Sequence, residues 1–294
     1  MRTAFIDQLI NESRRNDNIF LLVGDLGYNV VEPFAREFPN RFKNVGIAEQ
    51  NMAGIAAGLA MTGFNVFIYS IGNFPTLRCI EQIRNDIAYH HANVKIVAVG
   101  GGYAYGDLGT THHATEAIGM MRAIPNMIVC SPSDPIETRA LTSFSSVFEG
   151  PMYIQLGKAG EMIIHDKTLA LEEGDIVPYK IEDNNMAILV TGAISSVIVN
   201  TDRANGSDIY TLPFIKPINK GQLLEIARKY EVITIIEEHQ LSCGVGSAIV
   251  EQVNDLFAQG EILSYPKINR VAINDYFQDF SGSQNYLRKK ANLL

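Results

Sequence analysis

One carboxylate, Glu49, stands alone in a stretch of apolar and small residues, VGIAEQNMAGIAAGLAMTG, from Val45 to Gly63. Val45, Gly46, Ile47, Ala48 and Met52 surround it, so the acid is expected to leave the surface with them. A carboxylate withdrawn from water can hold a proton near neutral pH and act as a donor. The plainer role is a first-turn acid that meets the free N–H groups and dipole of a helix start. Two more groups could do chemistry. His112 and His113 lie in GGYAYGDLGTTHHATE, a loop whose glycines let backbone come close to a ligand, although a loop histidine can equally be a solvated surface residue. Asp25, in VGDLGYN, follows an apolar run and reads also as a simple turn acid.

The elements that must position these groups follow from periodicity. From Asn51 onward Ala53, Gly54, Ala56, Ala57, Gly58 and Ala60 recur at every helical offset, which predicts a helix with little bulk on any face, buried and closely approached. Helical patterns over 3–15, 51–62, 77–91, 115–123 and 135–147 alternate with short apolar strands over 19–23, 65–69, 94–99, 127–130 and 152–156. Strands separated by helices imply a parallel sheet covered on both faces, with ligands at the carboxyl ends of its strands. Glu49, Asp25 and His112 all fall near such ends. Periodicity fades over 157–183, where glycine and charge increase, so the division read is a first domain over 1–165, a linker over 166–183 and a second domain over 184–294. The second domain repeats the alternation: strands MAILVTG, SDIYTL, EVITIIEE and PKINRVA, with helices over 193–203, 219–230 and 244–258. LPFIKPIN, with Pro213 and Pro217, reads as a strand exit. The fold class is α/β, two consecutive mostly parallel-sheet domains.

The chain has 294 residues, 47% hydrophobic and 19% charged, enough for two domains with sizeable cores. A net charge of -8 without any basic run argues against a nucleic-acid partner. No apolar run reaches membrane-spanning length, and MRTAFIDQLINESRRN reads as an amphipathic helix with acids, so neither membrane nor signal peptide is expected and a cytoplasmic location is. Cys79, Cys130 and Cys243 form no CxxC pair and read as packing residues. His90 and His91 close a helix, where they suit its dipole.

VGIAEQNMAGIAAGLAMTG resembles the aminopyrimidine-binding segment of transketolases and deoxyxylulose-phosphate synthases, thiamine diphosphate enzymes in which this glutamate contacts the pyrimidine nitrogen of the cofactor. The resemblance continues through YSIGNF, GTTHHATE, MRAIPNMIVCSPSD, LPFIKPIN and EEHQLSCGVGSA, and corresponds to the C-terminal half of a full-length transketolase: the pyrimidine-binding and C-terminal domains. It implies the following site. Glu49 drives the cofactor's pyrimidine to its imino form, the cofactor carrying the electron-sink chemistry. Phe74 stacks on the pyrimidine, with Ile71 and Leu77 where the family often has further aromatics. His112, with His113 beside it, bonds the reacting oxygens of a sugar. Asp25 matches an acid close to the site and the subunit contact.

Two departures stand out. The family's Asp-Gly-Pro-Thr-His is here Leu108-Gly109-Thr110-Thr111-His112, with the nearest acid, Asp107, one place earlier. Where relatives carry phosphate-clamping arginines, MYIQLGKAGE offers Gln155 and Lys158; a neutral amide cannot replace a guanidinium fork. The Gly-Asp-Gly motif by which the family holds Mg²⁺ and diphosphate does not occur in the sequence, so that half of the site is expected from another polypeptide. The reading is thus the C-terminal subunit of a two-chain transketolase, in an α2β2 heterotetramer, moving a two-carbon ketol unit between sugars with a non-standard acceptor. The alternatives are the β subunit of a 2-oxo acid dehydrogenase and a non-catalytic α/β binding module. The absence of GxGxxG after the first strand weakens the dinucleotide form of the latter.

Overall fold

Runs of β-branched and aromatic residues that must lose their water on both faces become central strands of parallel sheets. In the computed structural model, which describes residues 1–294, IFLLV, NVFIYSI and VKIVAV are almost wholly buried and lie side by side. The strands are β1 Ile19–Val23, β2 Phe42–Asn44, β3 Asn65–Ile71, β4 Val94–Val99, β5 Ile128–Cys130, β6 Met152–Leu156, β7 Val177–Lys180, β8 Met186–Val190, β9 Asp208–Thr211, β10 Phe214–Lys216, β11 Val232–Gln240 and β12 Lys267–Ile273. They form a seven-stranded sheet, order β10-β5-β6-β4-β3-β1-β2, and a five-stranded sheet, order β12-β11-β8-β9-β7. Only β10 and β7 run antiparallel to their neighbours. The register pairs Val23 with Tyr69 and Ile71 with Val99, so β1, β3 and β4 end together at one edge of the sheet.

Five elements differ from the sequence expectation. The helix expected over 77–91 is a tight turn at Leu77–Cys79, a short α-helical piece at Ile80–Gln82 and a wider π-type stretch at Ile83–Ala88. The helix expected over 193–203 shrinks to Ser195–Ile198 and a turn at Asp202–Ala204. Inside the segment read as a linker, β7 joins the second sheet. LPFIKPIN supplies a strand as well as a strand exit: Pro213 and Pro217 flank β10 without interrupting it, and β10 crosses to the first sheet beside β5. The helix Glu49–Met61 also departs from its expected burial on every face. Met52, Ala53, Ala56 and Ala57 are buried, whereas Asn51, Gly54, Gly58 and Met61 are exposed.

A buried polar cluster ties the crossing segment to both sheets. Asp134 caps the helix Pro135–Val147, its Oδ1 accepting from the amides of Ile136 (2.9 Å) and Glu137 (2.8 Å), while Oδ2 accepts from those of Ile164 and His165, each at 2.9 Å. His165 Nδ1 stands 3.2 Å from Asp134 Oδ2, and Nε2 3.6 Å from Glu137 Oε1. Glu137 accepts from the Ser133 amide at 2.6 Å and from the Thr211 hydroxyl of β9. Burial pushes the His165 imidazole down, but the Asp134 and Glu137 carboxylates outweigh it, with Asp166 adding to them, and hold it above its ordinary value.

A raised folded-state value stabilises fully below the unfolded histidine value of about 6.5, and that stability is lost as pH rises through the folded value. The thermal midpoint of the native chain should therefore exceed that of His165→Asn most at about pH 6, with the gap narrowing steadily toward about pH 9. A gap that widens with pH would show that the imidazole is not held charged by these acids.

Candidate active site

The end of β2 fixes the loop that leads into Glu49. Asn44 Oδ1 accepts from the amides of Asp25 (3.1 Å) and Gly46 (2.9 Å), and Asn44 Nδ2 donates to Asp25 Oδ1 at 2.9 Å. Asp25 sits at φ 54°, a left-handed conformation that such side-chain bonds can hold. Its carboxylate is committed to this clamp between the β1 and β2 exits, which is the turn role left open by the sequence. Ile47, expected to be buried, is 77% exposed, while Glu49 two residues on is 1% exposed.

Glu49 does not cap its helix. Its Oε2 accepts from Arg78 Nη1 at 2.8 Å; Oε1 is buried without a partner, against Gly24, where a Cβ would stand 3.6 Å from it. The Arg78 guanidinium lies 4.6 Å over the ring of Phe74, whose other neighbour is the His112 ring, edge-on at 5.4 Å. Glu49, Arg78, Phe74 and His112 thus form one contiguous row across the ends of β1, β3 and β4.

Beside this row opens a cavity of about 410 Å³ lined by Asn73, Phe74, Leu77, Arg78, Thr110, Thr111, His113, Glu116 and Phe277. Its loop is held from both domains. Asn73 Nδ2 donates to the His113 carbonyl, and the Thr110 hydroxyl donates to the carbonyl of Gln278 at 2.8 Å. Glu238 of β11 accepts from the Tyr103 amide at 2.8 Å and from Arg288 at 2.6 and 2.9 Å. Gly100, at φ 87°, must lack a side chain, because a Cβ there would stand 2.1 Å from the Tyr105 ring. His113 is buried with Nε2 unpartnered, and burial pushes its imidazole below the ordinary value. His112 is half-buried, its Nδ1 3.0 Å from the Thr111 hydroxyl.

The structure therefore brings Glu49, Phe74, Leu77, His112 and His113 together, with Ile71 half-buried at the end of β3. Other expected residues lie elsewhere. Asp107 and Leu108 are exposed on the turn Gly106–Leu108 and do not line the cavity. Gln155 is buried in β6, accepts from the Tyr153 hydroxyl at 2.9 Å, and faces a cavity of about 20 Å³ between the sheets with Ser131, Thr191 and Glu237. Its amide is inside the molecule because the end of β6 meets Thr191 and Glu237 of the second domain. Lys158 stands 4.7 Å over the Tyr105 ring, outside the lining of the larger cavity. Sequence reasoning missed Arg78, Asn73, Glu116 and Phe277. Arg78 had a signal, a cation one residue after Leu77 in the stacking motif; Phe277 arrives from the second domain and had none.

Residues 1–159 match the family model of the transketolase pyrimidine binding domain, and residues 199–283 that of the transketolase C-terminal domain. The chain belongs to the transketolase family. It is 34% identical over 288 residues to a transketolase C-terminal section of Methanocaldococcus jannaschii, covering 94% of this chain and 87% of that one. It is 30% identical over 284 residues to one of the subunits of the apulose-4-phosphate transketolase of Phocaeicola vulgatus, covering 94% and 90%. Among solved structures it is similar to a split-gene transketolase described as an inactive β4 tetramer, with TM-score 0.86, 31% identity, and 99% and 93% of the two chains covered. This transketolase chain thus corresponds to one subunit of a split enzyme, and its family implies dependence on thiamine diphosphate. Its residues fit an aminopyrimidine: a buried carboxylate at Glu49, with one oxygen unpartnered and the other held only by the half-exposed Arg78, and an aromatic ring at Phe74.

Removing the Asn44 clamp should loosen the approach to Glu49 without unfolding the sheet. In Asn44→Ala, amide hydrogen exchange at Asp25 and Gly46 should accelerate roughly fivefold, as expected for the loss of one bond of about 1 kcal/mol at each. Exchange at the native rate would remove Asn44 from this role.

Proposed function

We propose that the chain is the cofactor-activating subunit of a two-chain transketolase, with Glu49, Phe74 and His112 as its reaction centre and His113 beside them. The observation that carries this reading is the buried Glu49 carboxylate, which caps nothing, has one oxygen without a partner, and is linked through Arg78 to the Phe74 ring and, beyond it, to His112. Thiamine diphosphate supplies the electron sink for moving a two-carbon ketol unit between sugars. Glu49 holds or delivers a proton at the pyrimidine nitrogen. Phe74 offers its flat face for stacking. His112 and His113 present ring nitrogens to the oxygens of the reacting sugar, as hydrogen-bonding groups.

Mg²⁺ and the diphosphate are assigned to an N-terminal partner subunit carrying Gly-Asp-Gly, a motif missing from this sequence. The relative described as an inactive β4 tetramer supports the need for that partner. Tyr28, Ile47, Leu77 and Leu108, all exposed apolar residues on the loops around the site, together with the open face of the helix Glu49–Met61, suit the docking of other chains in an α2β2 assembly. No helix is long and apolar enough to cross a membrane. A first domain over 1–165 and a second over 184–294 remain the working division, and the cytoplasm the expected location.

The chain alone should show no ketol transfer with thiamine diphosphate and Mg²⁺, and the cognate partner should restore it. In that complex Glu49→Gln should slow exchange of the cofactor's C2 proton by about a hundredfold or more while assembly persists. Activity of the chain alone, or native exchange in the variant, would overturn the reading.

The acceptor is proposed to differ from the usual sugar phosphates. With Gln155 turned inward, Lys158 is left as the single cation of its stretch to meet a phosphate, and Leu108 stands where the family reads a hydroxyl. The similar chain from Phocaeicola vulgatus, named for apulose 4-phosphate, supports a non-standard sugar. Catalytic efficiency on ribose phosphate should fall roughly a hundredfold below that of an ordinary transketolase, since a bidentate guanidinium contact is worth a few kcal/mol. Equal efficiency would return the enzyme to ordinary pentose phosphates.

A further inference from the structure

Arg78 makes the same two contacts that an aminopyrimidine needs. Its planar cation lies 4.6 Å over the Phe74 ring, and its Nη1 donates to Glu49 Oε2 at 2.8 Å. The remaining oxygen, Oε1, is buried against Gly24, and the His112 ring meets Phe74 in a T-shaped contact at 5.4 Å. A guanidinium and an aminopyrimidine cannot share one carboxylate oxygen and one ring face. We propose that Arg78 competes with the cofactor's aminopyrimidine for Glu49 and Phe74, and so sets the affinity of the site for thiamine diphosphate.

The surroundings suit a group that moves aside. Arg78 is 45% exposed by its side chain, whereas Glu49 is 1% exposed, so the cation can return to water while the acid cannot. It stands on the tight turn Leu77–Cys79, just before the irregular helical stretch that ends at Ala88, and it lines the cavity of about 410 Å³. No hydrogen bond other than the one to Glu49 holds the guanidinium. Departure therefore breaks one ion pair and one cation–π contact, and the entering ring puts a hydrogen bond and a ring–ring stack in their place. Holding the site in an Arg78-occupied form lowers apparent affinity by the fraction of molecules so occupied.

This inference rests on the cofactor reading given above, and the test separates the two. Titration of thiamine diphosphate with Mg²⁺ into the assembled two-chain complex is followed by calorimetry for the native protein, Arg78→Ala, Arg78→Lys and Glu49→Gln. Arg78→Ala should bind the cofactor roughly tenfold more tightly, the scale of an exposed ion pair plus a cation–π contact. That gain would appear despite loss of a positive charge near an anionic ligand, which by itself would weaken binding. Arg78→Lys keeps the charge but cannot lie flat on the ring while bonding Glu49, so it should also bind more tightly, and it decides the matter if Arg78→Ala does not assemble. Equal or weaker binding in the variant that assembles would overturn the competition and make Arg78 a supporting partner of Glu49. Glu49→Gln with native cofactor affinity and native C2 exchange would instead overturn the cofactor site itself.

Discussion

Taking a carboxylate out of water costs several kcal/mol unless nearby groups receive its charge or its lone pairs. Glu49 imposes that demand where three parallel strands end together, and the surrounding residues answer it. The helix it begins offers a positive dipole end, Arg78 offers a cation, and Gly24 leaves room for the oxygen that neither satisfies. The Asn44 clamp sets the angle at which the chain enters that helix, so an exposed asparagine determines where a buried acid points. Half-satisfied burial of this kind is a feature of sites that exchange protons or ligands, since a fully bonded acid has nothing left to give.

The second sheet is part of this arrangement. Glu238 is buried with the Arg288 guanidinium forked onto it, and the pair stays tolerable because it also receives the Tyr103 amide. That bond pins the glycine-rich loop carrying the histidines, while the Thr110–Gln278 bond pins its tip. The loop is thus suspended between domains, and Phe277 closes one wall of the cavity from the far side. The second domain thus helps to fix the shape of the cavity beside Phe74 and His113.

Much of this could be read from the chain. The apolar runs at 19–23, 94–99 and 152–156 became β1, β4 and β6 with the expected bounds, because fully buried parallel strands read as largely hydrophobic runs. Glu49 was legible as the one acid in an apolar frame, and Phe74 and His112 through the family motif. What escaped depends on distant contacts. β10 is three residues long and owes its existence to β5, and β7 is a short antiparallel edge in a segment rich in charge. The inward turn of Gln155 follows from the meeting of the β6 end with Thr191 and Glu237 of the second domain, which no local pattern encodes. The open face of the helix Glu49–Met61 misled because small residues suit a close approach by another chain as well as by this one.

The strand that completes the first sheet comes from the second half of the sequence. While the chain is being synthesised, β5 must wait with one edge unpaired until Phe214–Lys216 has emerged, although β6, its other neighbour, is available much earlier. An unpaired strand edge is a template for pairing with other chains. The nascent protein therefore passes through an interval in which its own later segment competes with intermolecular association for that edge, and the speed of translation across the crossing segment sets how long the interval lasts.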